Sequence, residues 1–383
     1  MRTRPNRRRK LSWAGLAAVA IALAGCSQPA EEIATDPDPT PQSSAHESQS
    51  RPQELPQSLP EEEPEPTFLD TASGVVVTNL AAPWSIAFGN GATFISERDS
   101  RRVLELTDDG QTREVGVIGG AAPLHEGGLL GLAVNEGYLY CYYTSPADNR
   151  IVRFKLQGEP GSYQLGSEEI LLDGIPFSTN HNGGRLAFGP DGMLYATTGD
   201  AYYPTGAQDL SSLAGKILRL TPDGGVPADN PFEGSPVYTY GHRNVQGLAW
   251  GSDGTMYASE FGDHAWDELN IIHPGGNYGW PIHEGVSGAE GFIDPIAVWT
   301  PEVASPSGIA IADGSIYMAN LRGMRLRVIP LGDLTSFTEL YVEEYGRLRD
   351  VVVRPNGKIW ILTNNTDGRV DPGPDDDKII AIN

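Results

Sequence analysis

The sequence predicts a six-bladed β-propeller, an all-β fold of four-stranded antiparallel blades, and three observations carry that prediction. One phrase recurs six times: a short apolar run, a turn containing glycine, then an apolar and aromatic run. The copies run from Ile86-Ala87-Phe88 to Phe94-Ile95, Leu132-Ala133-Val134 to Leu139-Tyr140, Leu186-Ala187-Phe188 to Leu194-Tyr195, Leu248-Ala249-Trp250 to Met256-Tyr257, Ile309-Ala310-Ile311 to Ile316-Tyr317, and Val351-Val352-Val353 to Ile359-Trp360. Their turn glycines, at 91, 137, 192, 254, 314 and 357, are 46, 55, 62, 60 and 43 residues apart, close to the length of a four-stranded blade. Helical periodicity is nearly absent, and 46 Gly and 30 Pro interrupt the chain too often for long helices. The Asn-Gly and Asp-Gly pairs supply the positive φ angles that tight hairpin turns demand.

The chain divides into three stretches. Residues 1–25 open with Arg2, Arg4, Arg7, Arg8, Arg9 and Lys10, followed by an apolar run too short to span a bilayer, which is the layout of an export signal. That run ends in Leu23-Ala24-Gly25-Cys26, which resembles a bacterial lipobox. Cys26 is therefore expected as a lipidated mature N-terminus that holds the protein on the outer side of the cytoplasmic membrane or in the cell envelope. Residues 26–67 form an acidic, proline-rich stalk: from Ser27 to Thr67 there are ten acidic residues, nine prolines and one arginine, and almost nothing to bury. Residues 68–383 are expected to hold the propeller. With 50 Asp and Glu against 27 Lys and Arg, the net charge of −23 argues against a nucleic-acid partner. Cys141, within Tyr140-Cys141-Tyr142-Tyr143, reads as a buried packing thiol.

If each phrase is the same hairpin of its blade, the residues after its second strand gather at one mouth of the central channel, where a ligand site is expected. Those residues are polar: Glu97-Arg98, Gly199-Asp200, Glu260 through Glu268, Asn320 through Arg322, and Asn364-Asn365. The chain contains no GxSxG elbow, Walker loop, HExxH or paired CxxC. Instead His181 is followed by Asp200 one hairpin later, a spacing that can set a carboxylate against an imidazole and make the ring a proton acceptor. Arg347 and Arg349 alternate on one strand face, suited to planar carboxylates or to a plain ladder of ion pairs. The acidic, glycine-containing segment from 260 to 268 offers carboxylate and carbonyl oxygens for Ca²⁺, whereas one His with carboxylates is weak evidence for zinc.

Several ordered motifs resemble the soluble PQQ-dependent glucose and aldose sugar dehydrogenases, from about residue 75 to 383. They include His181-Asn182-Gly183-Gly184-Arg185-Leu186, Gly199-Asp200, Gly215-Lys216-Ile217-Leu218-Arg219, Val226-Pro227-Ala228-Asp229-Asn230-Pro231 and Tyr240-Gly241-His242-Arg243-Asn244. Asp267-Glu268-Leu269-Asn270, Asn277-Tyr278-Gly279-Trp280-Pro281 and Arg347-Leu348-Arg349-Asp350 complete the series. The resemblance implies a six-bladed propeller binding pyrroloquinoline quinone (PQQ) and Ca²⁺, which oxidises aldoses at the anomeric carbon to lactones. By residue, it implies His181 as general base, Asp200 as its partner, and Arg243 as the group stabilising developing negative charge. Asn244, Gln246, Arg347 and Arg349 match cofactor contacts. The carbonyls of Gly262 and Asp263 match ligands of a catalytic calcium, and Glu268 with the Tyr278 carbonyl match those of a second calcium.

The sequence also departs from the family pattern. Glu126 stands where glucose-oxidising members carry Gln, placing a charge near the sugar pocket. Asp263 replaces a Pro, and Arg322 sits where some members use Lys to contact the cofactor. Trp299 is expected near the substrate wall. No CxxCH haem motif is present, so a separate electron acceptor, a respiratory quinone or redox carrier, is implied. Two other readings stand beside this one: a lactonase-type hydrolase with Glu97, Asn244 and Asp200 around a metal, and a non-catalytic ligand-binding propeller.

Overall fold

The computed structural model describes residues 67–68, 74–107 and 109–382; the expected signal, Cys26 and most of the acidic stalk lie outside them. Six sheets form, and each recurring phrase is the inner hairpin of one. Blade 1 comprises Pro83–Gly89, Ala92–Glu97, Arg102–Leu106 and Thr112–Val117. The inner hairpins of blades 2 to 5 pair Leu129–Asn135 with Tyr138–Thr144, Leu186–Phe188 with Leu194–Thr197, Val245–Trp250 with Met256–Glu260, and Pro306–Ala312 with Ser315–Asn320. Blade 6 takes Leu348–Val353, Ile359–Thr363 and Ile379–Ile382 from the end of the chain, and its outermost strand, Gly74–Val77, from just before blade 1. Pairing of Val75 with Ile380 and Val77 with Ile379 thus closes the ring.

Blade 5 departs from the four-stranded pattern. Thr67–Phe68 adds a fifth strand, parallel to Thr338–Leu340, so Thr67 belongs to a sheet and not to the stalk. The six turns also divide into two kinds. At Asn90-Gly91, Glu136-Gly137 and Asp313-Gly314 both residues have positive φ, the two-residue hairpin anticipated. At Gly192, Gly254 and Gly357 only the glycine does, and the preceding Asp191, Asp253 or Asn356 instead accepts a backbone N–H two residues on.

Strand alternation explains the packing. Each inner strand is buried on both faces, with alternate side chains meeting the preceding and the following blade. In Tyr138–Thr144, Cys141 and Tyr143 pack against blade 1, while Tyr140 and Tyr142 pack against blade 3. Cys141 is fully buried, as anticipated, and burial pushes its thiol well above the ordinary range. Six apolar clusters result, one at each blade junction, including a closing cluster in which Val77, Trp360 and Ile379 meet Ile86, Ile95 and Leu104.

The residue just before the phrase is, in order, Ser85, Gly131, Arg185, Gly247, Gly308 and Asp350. Arg185 Nη1 donates to Asp350 Oδ2 at 2.9 Å and to Ser85 Oγ at 3.4 Å, and Arg185 Nε donates to the Gln246 carbonyl at 2.9 Å. One buried guanidinium thereby ties blade 3 to blades 1, 4 and 6. A Cβ on Gly308 would lie 1.9 Å from Asp350 Oδ1, so glycine there makes room for the carboxylate. Asp350→Ala would leave Arg185 buried without its counter-charge and is expected to cost about 3–5 kcal/mol. Urea unfolding checks this, and the Arg185→Met, Asp350→Leu double variant should recover most of the loss.

Candidate active site

At one mouth of the channel lies a cavity of about 190 Å³ to which every blade or its preceding connection contributes, among them Trp84, Glu126, Gly183, Gln246, Arg322 and Arg349. The backbone explains how side chains arrive there. In five inner hairpins the register slips at the same place, between Pro83 and Ser85, Leu129 and Leu132, Val245 and Gly247, Pro306 and Ile309, and Leu348 and Asp350. A bulge re-aims the unpaired side chain. Trp84, Gln246 and Arg349 sit in these slips and line the cavity.

Arg349 is buried and touches no carboxylate; its Nη1 donates to Gln246 Oε1 at 3.1 Å and Ser307 Oγ at 3.2 Å, and its guanidinium lies 5.4 Å from the Trp84 ring centre. Burial, only partly offset by Asp367, pushes it down to about 9. Arg347 is also pushed down by burial, although its Nη2 donates to Asp367 at 3.2 Å. The Nε groups of both arginines are buried without a partner. With Arg322 and Arg369 on the same cavity, four guanidiniums converge there. This is an arrangement for a multiply charged anion with planar acceptor groups.

Beside the cavity, His181 Nδ1 donates to Asp200 Oδ1 at 2.8 Å if the ring carries its proton there, and Asp200 gives it reason to. Asp200 Oδ1 also accepts Tyr202 N–H at 3.0 Å, and Oδ2 accepts Trp280 Nε1–H at 2.8 Å. The carboxylate is thus held by three donors, and Nε2 of His181 is left as a proton acceptor. Glu126 accepts the His181 backbone N–H at 3.1 Å with one oxygen and Arg369 Nη2 at 2.7 Å with the other. Its charge is balanced at the cavity wall.

Arg243 sets its Nη2 2.9 Å from Asp263 Oδ1, with its guanidinium 5.4 Å from the Trp280 ring centre. The loop it meets is gathered by Glu284, whose Oε1 accepts backbone N–H groups from Asp263, His264, Ala265 and Trp266 at 2.6–3.2 Å. Among the described contacts, the carbonyls of Gly262, Asp263 and Tyr278 accept no hydrogen bond, which leaves them open as metal ligands. Glu268 is buried opposite Glu260 on the neighbouring strand, and burial with that neighbouring charge pushes it up to about 8. The buried Asn270 Oδ1 has no partner, while its Nδ2 donates to Glu268 Oε2 at 3.1 Å. Glu260 is taken up by His242 and by the Arg243 and Asn244 N–H groups, so Glu268 and the orphaned Asn270 carbonyl oxygen are the donors here that suit a hard cation.

The structure does not bring every anticipated residue to the cavity. Asn244 is buried beneath it, its Oδ1 accepting from Gly183 N and Gln246 Nε2, so it supports Gln246, which bonds Arg349. Trp299 ends the outer strand of blade 4 and packs in the junction with blade 5, 4.5 Å below the Arg327 guanidinium, away from the mouth. Arg322 reaches the cavity edge and pairs with Glu302 at 3.1 Å. Glu97 is occupied by Ala81 N, Ser100 Oγ and Arg102, so the ring of free oxygens required by a lactonase reading does not assemble.

Arg369, Asp367 and Trp84 were not singled out by sequence. Asp367 and Arg369 follow Asn364-Asn365 by only a few residues, and the polarity after each second strand, followed slightly further, points to them. Trp84 was hidden by an apolar phrase in which only a bulge turns one residue inward. Arg349→Met would remove a buried cation lacking a carboxylate contact. It is expected to stabilise the unliganded protein by about 1 kcal/mol or more, seen as a higher urea midpoint, while weakening anion binding; parallel urea and binding titrations check both.

A family model described as Glucose / Sorbosone dehydrogenase matches residues 80–371. An uncharacterized protein of Synechocystis is 31% identical over 356 residues, covering 77% of this chain and 84% of the relative. Quinoprotein glucose dehydrogenase B of Acinetobacter calcoaceticus is 32% identical over 257 residues, 57% of this chain and 54% of that protein. The PQQ-bound aldose sugar dehydrogenase of Streptomyces coelicolor superposes with a TM-score of 0.77 at 47% identity, covering 82% of this chain and 98% of that one. A match across the propeller, together with a buried His–Asp pair beside an arginine-lined mouth, places the chain in the glucose/sorbosone dehydrogenase family.

Proposed function

We propose that the protein is a PQQ- and Ca²⁺-dependent dehydrogenase that oxidises aldoses at the anomeric carbon to lactones. The observation that carries this reading is the buried pair Arg347 and Arg349, each with an unpartnered Nε, at a mouth flanked by His181 and Asp200. PQQ is a planar quinone bearing carboxylates, and this donor set fits it: Arg347 and Arg349 would hold carboxylates, with Gln246 orienting Arg349 and Trp84 offering a flat apolar face. When bound, PQQ supplies the quinone that accepts hydride.

This chain's own residues perform the rest. His181 Nε2 takes the proton of the anomeric hydroxyl, and Asp200 steadies the imidazolium that forms. Arg243, held by Asp263 and facing Trp280, places positive charge where negative charge develops. The Gly262 and Asp263 carbonyls would hold the catalytic Ca²⁺, and Glu268 with the Tyr278 carbonyl a second ion, to which Asn270 Oδ1 is a natural addition. An external respiratory quinone or redox carrier takes the electrons. A lipid anchor at Cys26 would keep the domain on the outer side of the cytoplasmic membrane or in the cell envelope.

Dye-linked oxidation of D-glucose by full-length protein supplied with PQQ and Ca²⁺ tests the reading. Asp200→Asn should lower kcat by about 10²–10⁴ with cofactor affinity little changed, because the amide no longer favours the Nδ1–H tautomer. Turnover equal to the parent protein would remove the pair from the mechanism.

Calcium should also leave a pH signature. Without the ion, Glu268 is raised, so its contribution to stability is full below the ordinary carboxylate range and is lost as pH rises through about 8. An ion at Glu268 must displace that proton, so the increase in Tm caused by Ca²⁺ should be larger at pH 8 than at pH 6. Glu268→Gln should abolish that difference, measured by thermal unfolding with Ca²⁺ and with chelator.

A further inference from the structure

Tyr202 combines three features that a surface loop residue does not need. It follows Ala201, and both hold left-handed backbones, at φ 57° and 51°, although neither is glycine. Two such residues in succession cost conformational energy, and surrounding contacts must hold them. Those contacts come from the pair already described: Ala201 N donates to the His181 carbonyl at 3.1 Å, and Tyr202 N donates to Asp200 Oδ1 at 3.0 Å. The same carboxylate oxygen therefore fixes both the imidazole and the position of Tyr202.

The ring lies against the base. Its centre is 4.4 Å from that of the His181 ring at an interplanar angle of 49°. His181 is only 8% exposed, whereas Tyr202 is 58% exposed. A hydroxyl that gives its proton to Nε2 must approach within about 2.6–3.2 Å. The carbon skeleton carrying that hydroxyl is then within van der Waals reach of an open aromatic face.

We propose that Tyr202 is a substrate-contacting, specificity-determining residue: its ring is the wall against which the C–H face of an aldopyranose packs while the anomeric hydroxyl meets His181. Accumulated C–H groups on one face of a pyranose suit an aromatic surface, whereas an open-chain or highly charged substrate lacks such a face. The inference rests on the assignment of His181 as proton acceptor. It adds a reason for the strain, which secures the ring beside the base.

Two variants separate ring from fold. Tyr202→Gly removes the ring and accepts the left-handed backbone without penalty, so the loop is retained; Tyr202→Phe keeps the ring and loses the hydroxyl. With PQQ, Ca²⁺ and an electron-accepting dye, Tyr202→Gly should raise KM for D-glucose about tenfold with little change in kcat, and Tyr202→Phe should stay within about twofold of the parent. Saturation-transfer NMR of D-glucose on the loaded protein should show transfer to its C–H protons in the parent and in Tyr202→Phe, and loss of it in Tyr202→Gly. An unchanged KM in Tyr202→Gly, or equal losses in both variants, overturns the proposal while leaving the dehydrogenase reading intact. If the parent oxidises no aldose yet the ring-dependent NMR contact is seen, the dehydrogenase reading fails and the Tyr202 contact stands. Absence of both overturns both.

Discussion

The propeller is organised around a charge pair on its own axis. Arg185 and Asp350 meet from opposite parts of the ring, and the Arg185 guanidinium also reaches Ser85, the Gln246 carbonyl and, at 4.5 Å, the centre of the Trp84 ring. A buried ion pair is a weak source of net stability, but breaking one is costly and its geometry is exacting. Here it fixes the radial position of four blades. The equivalent positions in two other blades, Gly247 and Gly308, are crowded by the Ser307 carbonyl and by Asp350 respectively, so the axis has room for this one pair and little else.

The mouth is built directly on that plug. In five of the six inner hairpins the strand slips one residue before the axial position, and the slipped residues Trp84, Gln246 and Arg349 enter the cavity. The Trp84 ring lies beside both guanidiniums, so the axial layer also supports the layer that lines the cavity. The His181–Asp200 pair is braced from other blades through Trp280 and Glu126. Side chains carried on connections gain rigidity in this way from a scaffold shared by the whole ring. The cost is visible in Arg349, whose burial holds its guanidinium below the ordinary arginine range while no carboxylate touches it.

Much of this was legible from residues alone. Six hairpins announced themselves through apolar phrases and turn glycines because both arise locally, from alternation and from positive φ. Asp200 one hairpin after His181, and Arg347 two residues before Arg349, were visible as spacings, but the structure joins the first pair from a connection and re-aims Arg349 by a bulge, with Arg347 ahead of the strand. Other features depend on distant parts of the chain. Ring closure by Gly74–Val77 joins residues about three hundred positions apart, and the parallel addition of Thr67–Phe68 to blade 5 carries no alternating signature of its own. Arg185 and Asp350 were visible as residues, but their partnership appears only when the position before each phrase is compared around the ring. Trp299 illustrates the reverse error: an aromatic near site motifs in sequence lies at a blade junction because its strand is the outermost of its sheet.

The central claim is that the arginine-lined mouth is a site for a planar polycarboxylate quinone. Equilibrium titration of the full-length protein with PQQ in excess Ca²⁺, followed through the quinone absorbance at several salt concentrations, tests it most directly. The expected result is saturable binding of one PQQ per chain that weakens as salt screens the guanidiniums and is lost in Arg347→Ala. Binding that is absent, or that is unchanged in Arg347→Ala, would contradict it.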